Sequence, residues 1–338
     1  MNCCGNCFGD TGLSEEIIPI LSKTKGTCDF CESEDVAVLE PHELRDYFLF
    51  LTNIYEEDEN GQSLIELITQ DWSLFSHPSM DEAKTRMLLS EILDDGELVR
   101  KNFIPVGISD SDRILEWEEL RAELKHGNRF FPNSKIDETR FEELLSRLII
   151  NSEKLGKIWY RARIDDAKQR LTLDEMGAPP KQLASHGRAN PAGIPYLYLA
   201  SDELTAISEI RPHPGEHICI AEFEIEDDLA LIDLRRPRIS ISPFLLSDEE
   251  EISMLRIDID FLETLGEELT SPVLPYSAAI DYIPSQYLCE FIKRCDYDGV
   301  VYNSSISHGF NISLFNVDSG VPQKLSQRQV TKVNVEVK

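Results

Sequence analysis

From Ser185 to Glu209 the chain reads SHGRANPAGIPYLYLASDELTAISE, which sets a polar loop, an apolar run and a helix start in immediate succession. Gly187 and Gly193 free the backbone on either side of Arg188, so the loop can present a guanidinium for planar, bidentate recognition of an anion. Ile194 to Ala200 has the apolar content of a buried strand. Ser201 is a natural N-cap, Asp202 and Glu203 suit the positive end of a helix dipole, and Ala206, Ile207 and Ile210 supply the apolar stripe. Glu209 falls off that stripe. Taken alone, these residues fit equally an ordinary β-α unit whose Arg188 and Glu209 are solvated surface charges.

The chain has 338 residues, of which 41% are apolar, enough for two domains or more and too apolar for wholesale disorder. Sixty-two acidic residues against 33 basic ones give a net charge of −29, which repels nucleic-acid phosphates and anionic membranes unless a local basic patch intervenes. Nucleic acid is therefore disfavoured as a partner. No run approaches the ~20 apolar residues that cross a bilayer. The longest candidates, Tyr47 to Leu51 and Leu144 to Ile150, read as helix faces. The opening MNCCGNCFGD lacks a basic segment followed by an apolar one, so the expected location is the cytoplasm.

Five of the eight cysteines lie in the first 31 residues. Cys4 and Cys7 form one CxxC pair and Cys28 and Cys31 another, the arrangement of a zinc ribbon, in which four thiolates close a tetrahedral site. Redox-active pairs or two disulfides are the competing readings, and a chain without an export signal disfavours disulfides. Cys3 is a substitute ligand. Cys219, Cys289 and Cys295 sit in apolar or helical settings and read as buried thiols.

Residues 41–155 read as helices: Pro41 to Tyr55, closed by the acidic Glu56 to Gly61; Ser63 to Phe75; Asp81 to Leu93; Arg113 to His126; and Asp137 to Leu155. The last places Phe141, Leu144, Leu145, Leu148 and Ile149 on one face. After Lys157 the pattern changes to short β-branched and aromatic runs. Ile158 to Arg163, Tyr196 to Ala200, Ile218 to Ile225, Leu229 to Leu234, Gly299 to Tyr302, Ile312 to Val317 and Val330 to Val337 predict strands, with helices near Asp202, over Ser247 to Leu269 and over Pro284 to Cys295. The expected class is α+β, divided as a zinc-ribbon segment over 1–40, a helical domain over 41–155 and a mixed domain over 156–338.

Several motifs of this last part occur in a recognisable order: Trp159-Tyr160-Arg161-Ala162-Arg163, Gly187-Arg188-Ala189-Asn190-Pro191-Ala192-Gly193, Tyr196-Leu197-Tyr198-Leu199-Ala200, Ala206-Ile207-Ser208-Glu209, Ile283-Pro284-Ser285-Gln286, and Tyr297 to Ser305, closed by Asn311 and Leu314-Phe315. In these the chain resembles the RES domain family, NAD+-consuming enzymes best known as toxins of bacterial toxin-antitoxin pairs. Ala189 stands where that family usually has an aromatic residue, and Asn303 where a proline often precedes the serine, which leaves open whether Ser304 or Ser305 supplies the functional hydroxyl.

The resemblance implies a fold like that of the ADP-ribosyltransferases and phosphorolysis of NAD+ to nicotinamide and ADP-ribose 1″-phosphate, with inorganic phosphate as co-substrate. It implies Arg161 and Arg188 as anion-binding residues, Tyr198 and Ser304 as contacts to the nucleotide, and Glu209 as the catalytic carboxylate, helped by Arg188 and Ser304. Arg163 is a neighbour that could assist, and Arg211 has proximity alone. His186, His213 and His217 read as loop or surface residues. NAD+ hydrolysis or ADP-ribosyl transfer is the alternative chemistry, and a non-catalytic zinc-ribbon and helical interaction protein the alternative class. An antitoxin or sensor protein is the implied partner, with homo-oligomerisation open. Helical extensions occur in front of RES domains, and Arg121 with His126 has the R-x4-H spacing of the HEPN ribonuclease motif. Ala122 stands where that motif usually has a polar residue, and solvated helix charges are the simpler reading.

Overall fold

Short strands and short helical turns make up the first forty residues. β1 (Cys3–Cys4), β2 (Thr24–Gly26) and β3 (Val36–Leu39) form a small antiparallel sheet in the order β1-β3-β2. The helix predicted from Pro41 begins as a 3-10 turn, Pro41–Leu44, whose Glu40 and Glu43 form a capping box, and continues as Arg45–Thr52. It ends before Tyr55 because the polar Tyr55–Ser63 is not a terminating loop but a strand, β4, paired with β5 (Asn102–Pro105). Ser63 and Asp81 are the N-caps of Leu64–Trp72 and Glu82–Leu93, as their side chains suggest, and Ser111–His126 follows.

The helix expected over Asp137 to Leu155 stops at Ser146. Phe141, Leu144, Leu145 and Leu148 are buried as the periodicity predicts, but Ile149–Asn151 leaves the helix to become β6. Pairing with Ala230, Leu231 and Ile232 overrides the helical pattern there.

The described residues are 1–106, 111–165, 170–274 and 276–333 of this computed structural model. From β6 onward they build one eight-stranded sheet with β7 (Ile158–Asp165), β8 (Leu197–Ala200), β9 (His217–Ile225), β10 (Ala230–Asp233), β11 (Gly299–Asn303), β12 (Phe310–Leu314) and β13 (Gly320–Gln329). Its order is β13-β9-β7-β8-β12-β11-β10-β6, antiparallel except for the parallel pair β10-β11. The last strand lies before its expected place: Val330 to Val333 is not strand, and 334–337 falls outside the described residues. The helices Glu203–Glu209, Glu249–Thr270 and Ile283–Arg294 match their predicted positions. The protein is thus α+β.

Alternation along the strands gives the sheet two apolar faces. Trp159, Leu197, Leu199, Phe223, Val301 and Ile312 pack on one. Ala162, Ala200, Ile218 and Ile220 face the other, where Ala206 of the helix Glu203–Glu209 covers them. Each large apolar side chain so buried contributes roughly 1.5–3 kcal/mol, and the small alanines let the helix that ends in Glu209 lie close to the strands.

The chain forms two compact units, each discontinuous in sequence. One comprises Met1–Ile114 with Arg236–Phe261, the other Leu115–Arg235 with the chain from Leu262 onward. Residues 41–155 therefore contribute to both, and every residue of the main sheet belongs to the second.

Candidate functional site

The helix Glu203–Glu209 is capped by Asp202, whose carboxylate accepts from the Thr205 amide at 2.8 Å, one residue later than the Ser201 expected for that role. Ser201 instead donates to Asp202. The helix ends on Glu209, and β12 returns beside β8 in the register Asn311↔Ala200. That register brings Asn311 to the carboxylate: Glu209 Oε1 accepts from Asn311 Nδ2 at 2.7 Å and from Ser304 Oγ at 2.8 Å. Ser304, itself 8% exposed, is thus the serine of the pair that touches the acid. Asn303 before it donates to the carbonyl of Arg235 at 2.9 Å.

The Gly187–Gly193 loop is built around Tyr198. The tyrosine hydroxyl accepts from the amides of Ala189 and Asn190 and donates to Asn190 Oδ1 at 2.7 Å. The hydroxyl is thus engaged in holding the loop, which leaves the ring as the part of Tyr198 available for the nucleotide contact that the resemblance implies. Asn190 Nδ2 in turn closes the loop on the carbonyls of Ser185, Pro191 and Ile194. A Cβ on Gly187 would lie 2.4 Å from Asn190 Oδ1 and 2.6 Å from Tyr198 Oη, so only glycine fits. Ser285 donates to the Arg188 carbonyl at 2.6 Å and Gln286 to that of Gly187 at 2.8 Å. The Ile283-Pro284-Ser285-Gln286 motif therefore fixes the loop. Ala189 is fully buried, at a point where a larger side chain would need space.

These elements enclose a cleft of about 530 Å³, within the size range of small-molecule sites. Its charged lining is Arg161, Arg188, Arg211 and Glu209, with His186 at its wall. Three guanidiniums face one carboxylate in a chain of net charge −29. Arg188 donates to the Ser271 carbonyl at 2.7 Å and lies over the Tyr282 ring at 5.2 Å. Arg161 carries a buried Nη1 with no hydrogen-bond partner, and burial, with the neighbouring Arg163, pulls its pKa down to about 10. It remains cationic at neutral pH, so the cleft holds a desolvated positive charge in want of an anion. Arg163 donates to the Gly177 carbonyl at 2.7 Å and is not part of the lining. Arg211 adopts a left-handed backbone (φ 48°) directly beyond the helix Glu203–Glu209 and is exposed. His213 and His217 are exposed and do not line the cleft.

The four predicted zinc ligands also come together. The Sγ atoms of Cys4, Cys7, Cys28 and Cys31 lie within 4.8 Å of one another, all buried, with Cys4 to Cys31 at 3.5 Å and Cys7 to Cys28 at 3.3 Å. A tetrahedral site with Zn–S bonds of ~2.3 Å needs sulfurs ~3.8 Å apart, so the cluster fits zinc with small adjustment. The Cys31 amide faces Cys28 Sγ at 3.5 Å. Hydrogen bonds from Cys4 and Cys7 push Cys28 down, and the contacts with Cys28 push Cys7 far up and Cys4 to about 12. A divalent cation bound by the four sulfurs would favour their ionised forms. Cys3 is buried beside this group but is not one of the four. Cys219 and Cys289 are buried as expected, whereas Cys295 is half-buried.

The RES domain profile matches residues 158–332, slightly more than half of the chain. The chain belongs to the RES domain family. The matched span contains every cleft-lining residue named above and excludes the cysteine cluster. Among solved structures, the chain is similar to one described as the M. tuberculosis MbcT-MbcA toxin-antitoxin complex, at 14% identity and a TM-score of 0.30, over 55% of this chain and 92% of that one. No curated protein matches the chain. Among the described residues no helix is long and apolar enough to cross a membrane.

The motifs pointed to Arg161, Arg188, Tyr198, Glu209 and Ser304. They did not reveal what Asn311, Tyr282 and Asn190 do, because each acts through a partner distant in sequence or through loop geometry. Asn190 and Asn311 lie within quoted motifs, and an asparagine beside a loop glycine or at a strand start was the available signal.

Proposed function

We propose that the RES domain cleft binds NAD+ and breaks its nicotinamide–ribose bond, transferring ADP-ribose to inorganic phosphate. The observation that carries this reading is one carboxylate, Glu209, held by Ser304 and Asn311 on a cleft whose other charged side chains are guanidiniums. The family resemblance supports the substrate. Nicotinamide leaves a pyridinium as a neutral group, so its departure needs no proton donor and one carboxylate suffices, in contrast to a glycosidase that must protonate an alkoxide. As the C–N bond breaks, its electron pair returns to the ring nitrogen and positive charge grows on the ribose. Glu209 opposes that charge or holds a ribose hydroxyl. A phosphate oxygen then bonds to the anomeric carbon, giving ADP-ribose 1″-phosphate. Arg161 and Arg188 supply the positive charge that a pyrophosphate and a second phosphate require in so acidic a chain.

In this reading the protein depletes NAD+ in the cytoplasm as a toxin or defence effector restrained by an antitoxin or sensor partner, and zinc in the cysteine cluster is structural. The test is incubation of the full chain with NAD+ with and without inorganic phosphate, following nicotinamide and the sugar product. Phosphate-dependent release of nicotinamide with ADP-ribose 1″-phosphate is expected. Phosphate-independent loss of NAD+ would replace phosphorolysis by hydrolysis or ADP-ribosyl transfer, and no loss would leave a non-catalytic interaction protein.

A further inference from the structure

Arg121 and Lys125, the basic residues of the helix Ser111–His126 around the R-x4-H spacing, lie four residues apart and so share one helix face. The Arg121 guanidinium pairs with Glu268, and Lys125 Nζ pairs with Asp281 at 2.7 Å. Glu268 is 11% exposed and so is Lys125, so each pair includes a charge largely removed from water. Such pairs hold geometry better than surface ones, because separating them strands a desolvated charge. Lys125 draws the Asp281 carboxyl below its usual range.

The two acidic partners stand at the two ends of one wall of the cleft. Glu268 is three residues before Ser271, whose carbonyl receives Arg188, and Asp281 adjoins Tyr282, whose ring Arg188 covers. Val273 and Ala278 line the cleft between them. Tyr282 leads straight into the helix Ile283–Arg294, where Ser285 and Gln286 bind the carbonyls of Arg188 and Gly187. One helix face thus grips both ends of the segment on which Arg188 rests.

We propose that Arg121 and Lys125 are positioning residues for the substrate site: they clamp the Glu268 and Asp281 ends of the cleft wall and thereby hold Arg188 where it meets the anionic part of the substrate. This rests on the NAD+ reading for the identity of the substrate but not for the clamp itself. It also gives Arg121 of the R-x4-H spacing a role unrelated to RNA, committed to Glu268.

The experiment compares the full chain with Lys125→Asp and with the exchanged pair Lys125→Asp/Asp281→Lys. In Lys125→Asp the KM for NAD+ should rise about tenfold with kcat changed by less than about twofold, the scale of coupling through a held element. The exchanged pair should recover KM to within about threefold. Amide hydrogen exchange over 278–288 should accelerate in the single variant and return to wild-type protection in the exchanged pair. A folded Lys125→Asp with wild-type KM and protection, or an exchanged pair that stays as impaired as the single variant, would overturn the clamp. If the wild type leaves NAD+ intact, the substrate reading fails, and the exchange measurement alone decides the clamp.

Discussion

Glu209 Oε1 accepts both donors offered to that carboxylate, from Ser304 and Asn311, and Oε2 has no protein donor among the described residues. The side chain, part of the cleft lining, is therefore oriented through one oxygen. Glu209→Gln removes the charge with little change of shape, and NAD+ turnover should fall ~100-fold or more with binding largely retained, the cost of losing one well-placed electrostatic group. Asn311→Ala leaves Ser304 as the remaining donor and should cost about tenfold in kcat at nearly constant KM. Steady-state kinetics on the two folded variants checks both, and near-normal turnover by Glu209→Gln would remove it from the chemistry. The roles of these two residues were not equally legible. Glu209 sits in a local motif beside a predicted helix, whereas Asn311 is 102 residues further on and gains its role only from the β8-β12 register.

The loop from Gly187 to Gly193 takes its shape from elements that arrive from three places in the chain: Tyr198 from β8, Ser285 and Gln286 from the helix Ile283–Arg294, and Asn190 from the loop itself. Gly187 is the point where they meet. Gly187→Ala would place a methyl 2.4 Å from Asn190 Oδ1 and 2.6 Å from Tyr198 Oη. Relief requires breaking the Tyr198–Asn190 bond, so the KM for NAD+ should rise at least about tenfold and Tm should fall by about 2–8 °C for 1–2 kcal/mol of lost stability. Kinetics and a melting curve measure it, and a variant with unchanged values would show that the hydroxyl cluster does not set the loop. Element type was readable where local chemistry and tertiary pairing agree, as at the Ser63 and Asp81 caps and at β7 and β9. Local pattern misleads where strand pairing overrules it. Tyr55–Ser63 is a polar strand because β5 lies beside it, and Ile149 leaves an apolar helix stripe because β10 offers it an edge. Neither partner is visible from within the segment.

At the scale of the whole molecule, a net charge of −29 must coexist with a cleft that concentrates three arginines, and the cysteine cluster lies in the other compact unit. That cluster is not an isolated ribbon: Phe8, one residue after Cys7, packs on Phe48 and Phe75, and Phe48 packs on Phe244, all within the same unit. A metal holding Cys4, Cys7, Cys28 and Cys31 would therefore fix the apolar core around Phe8 as well as the small sheet, and structural zinc contributes its binding energy to folding outright. About one zinc per chain is expected by elemental analysis of protein purified under reducing conditions. Removing it with a chelator, or by Cys28→Ser/Cys31→Ser, should lower the melting transition of the unit that contains Met1–Ile114. NAD+ cleavage measured below that transition should persist, since every cleft residue belongs to the other unit. Acidification should act in the same direction as the chelator, because protons compete with the metal for the thiolates. Protein without metal would refute the site, and cleavage lost in step with the metal would show that the cleft depends on the zinc-bearing unit.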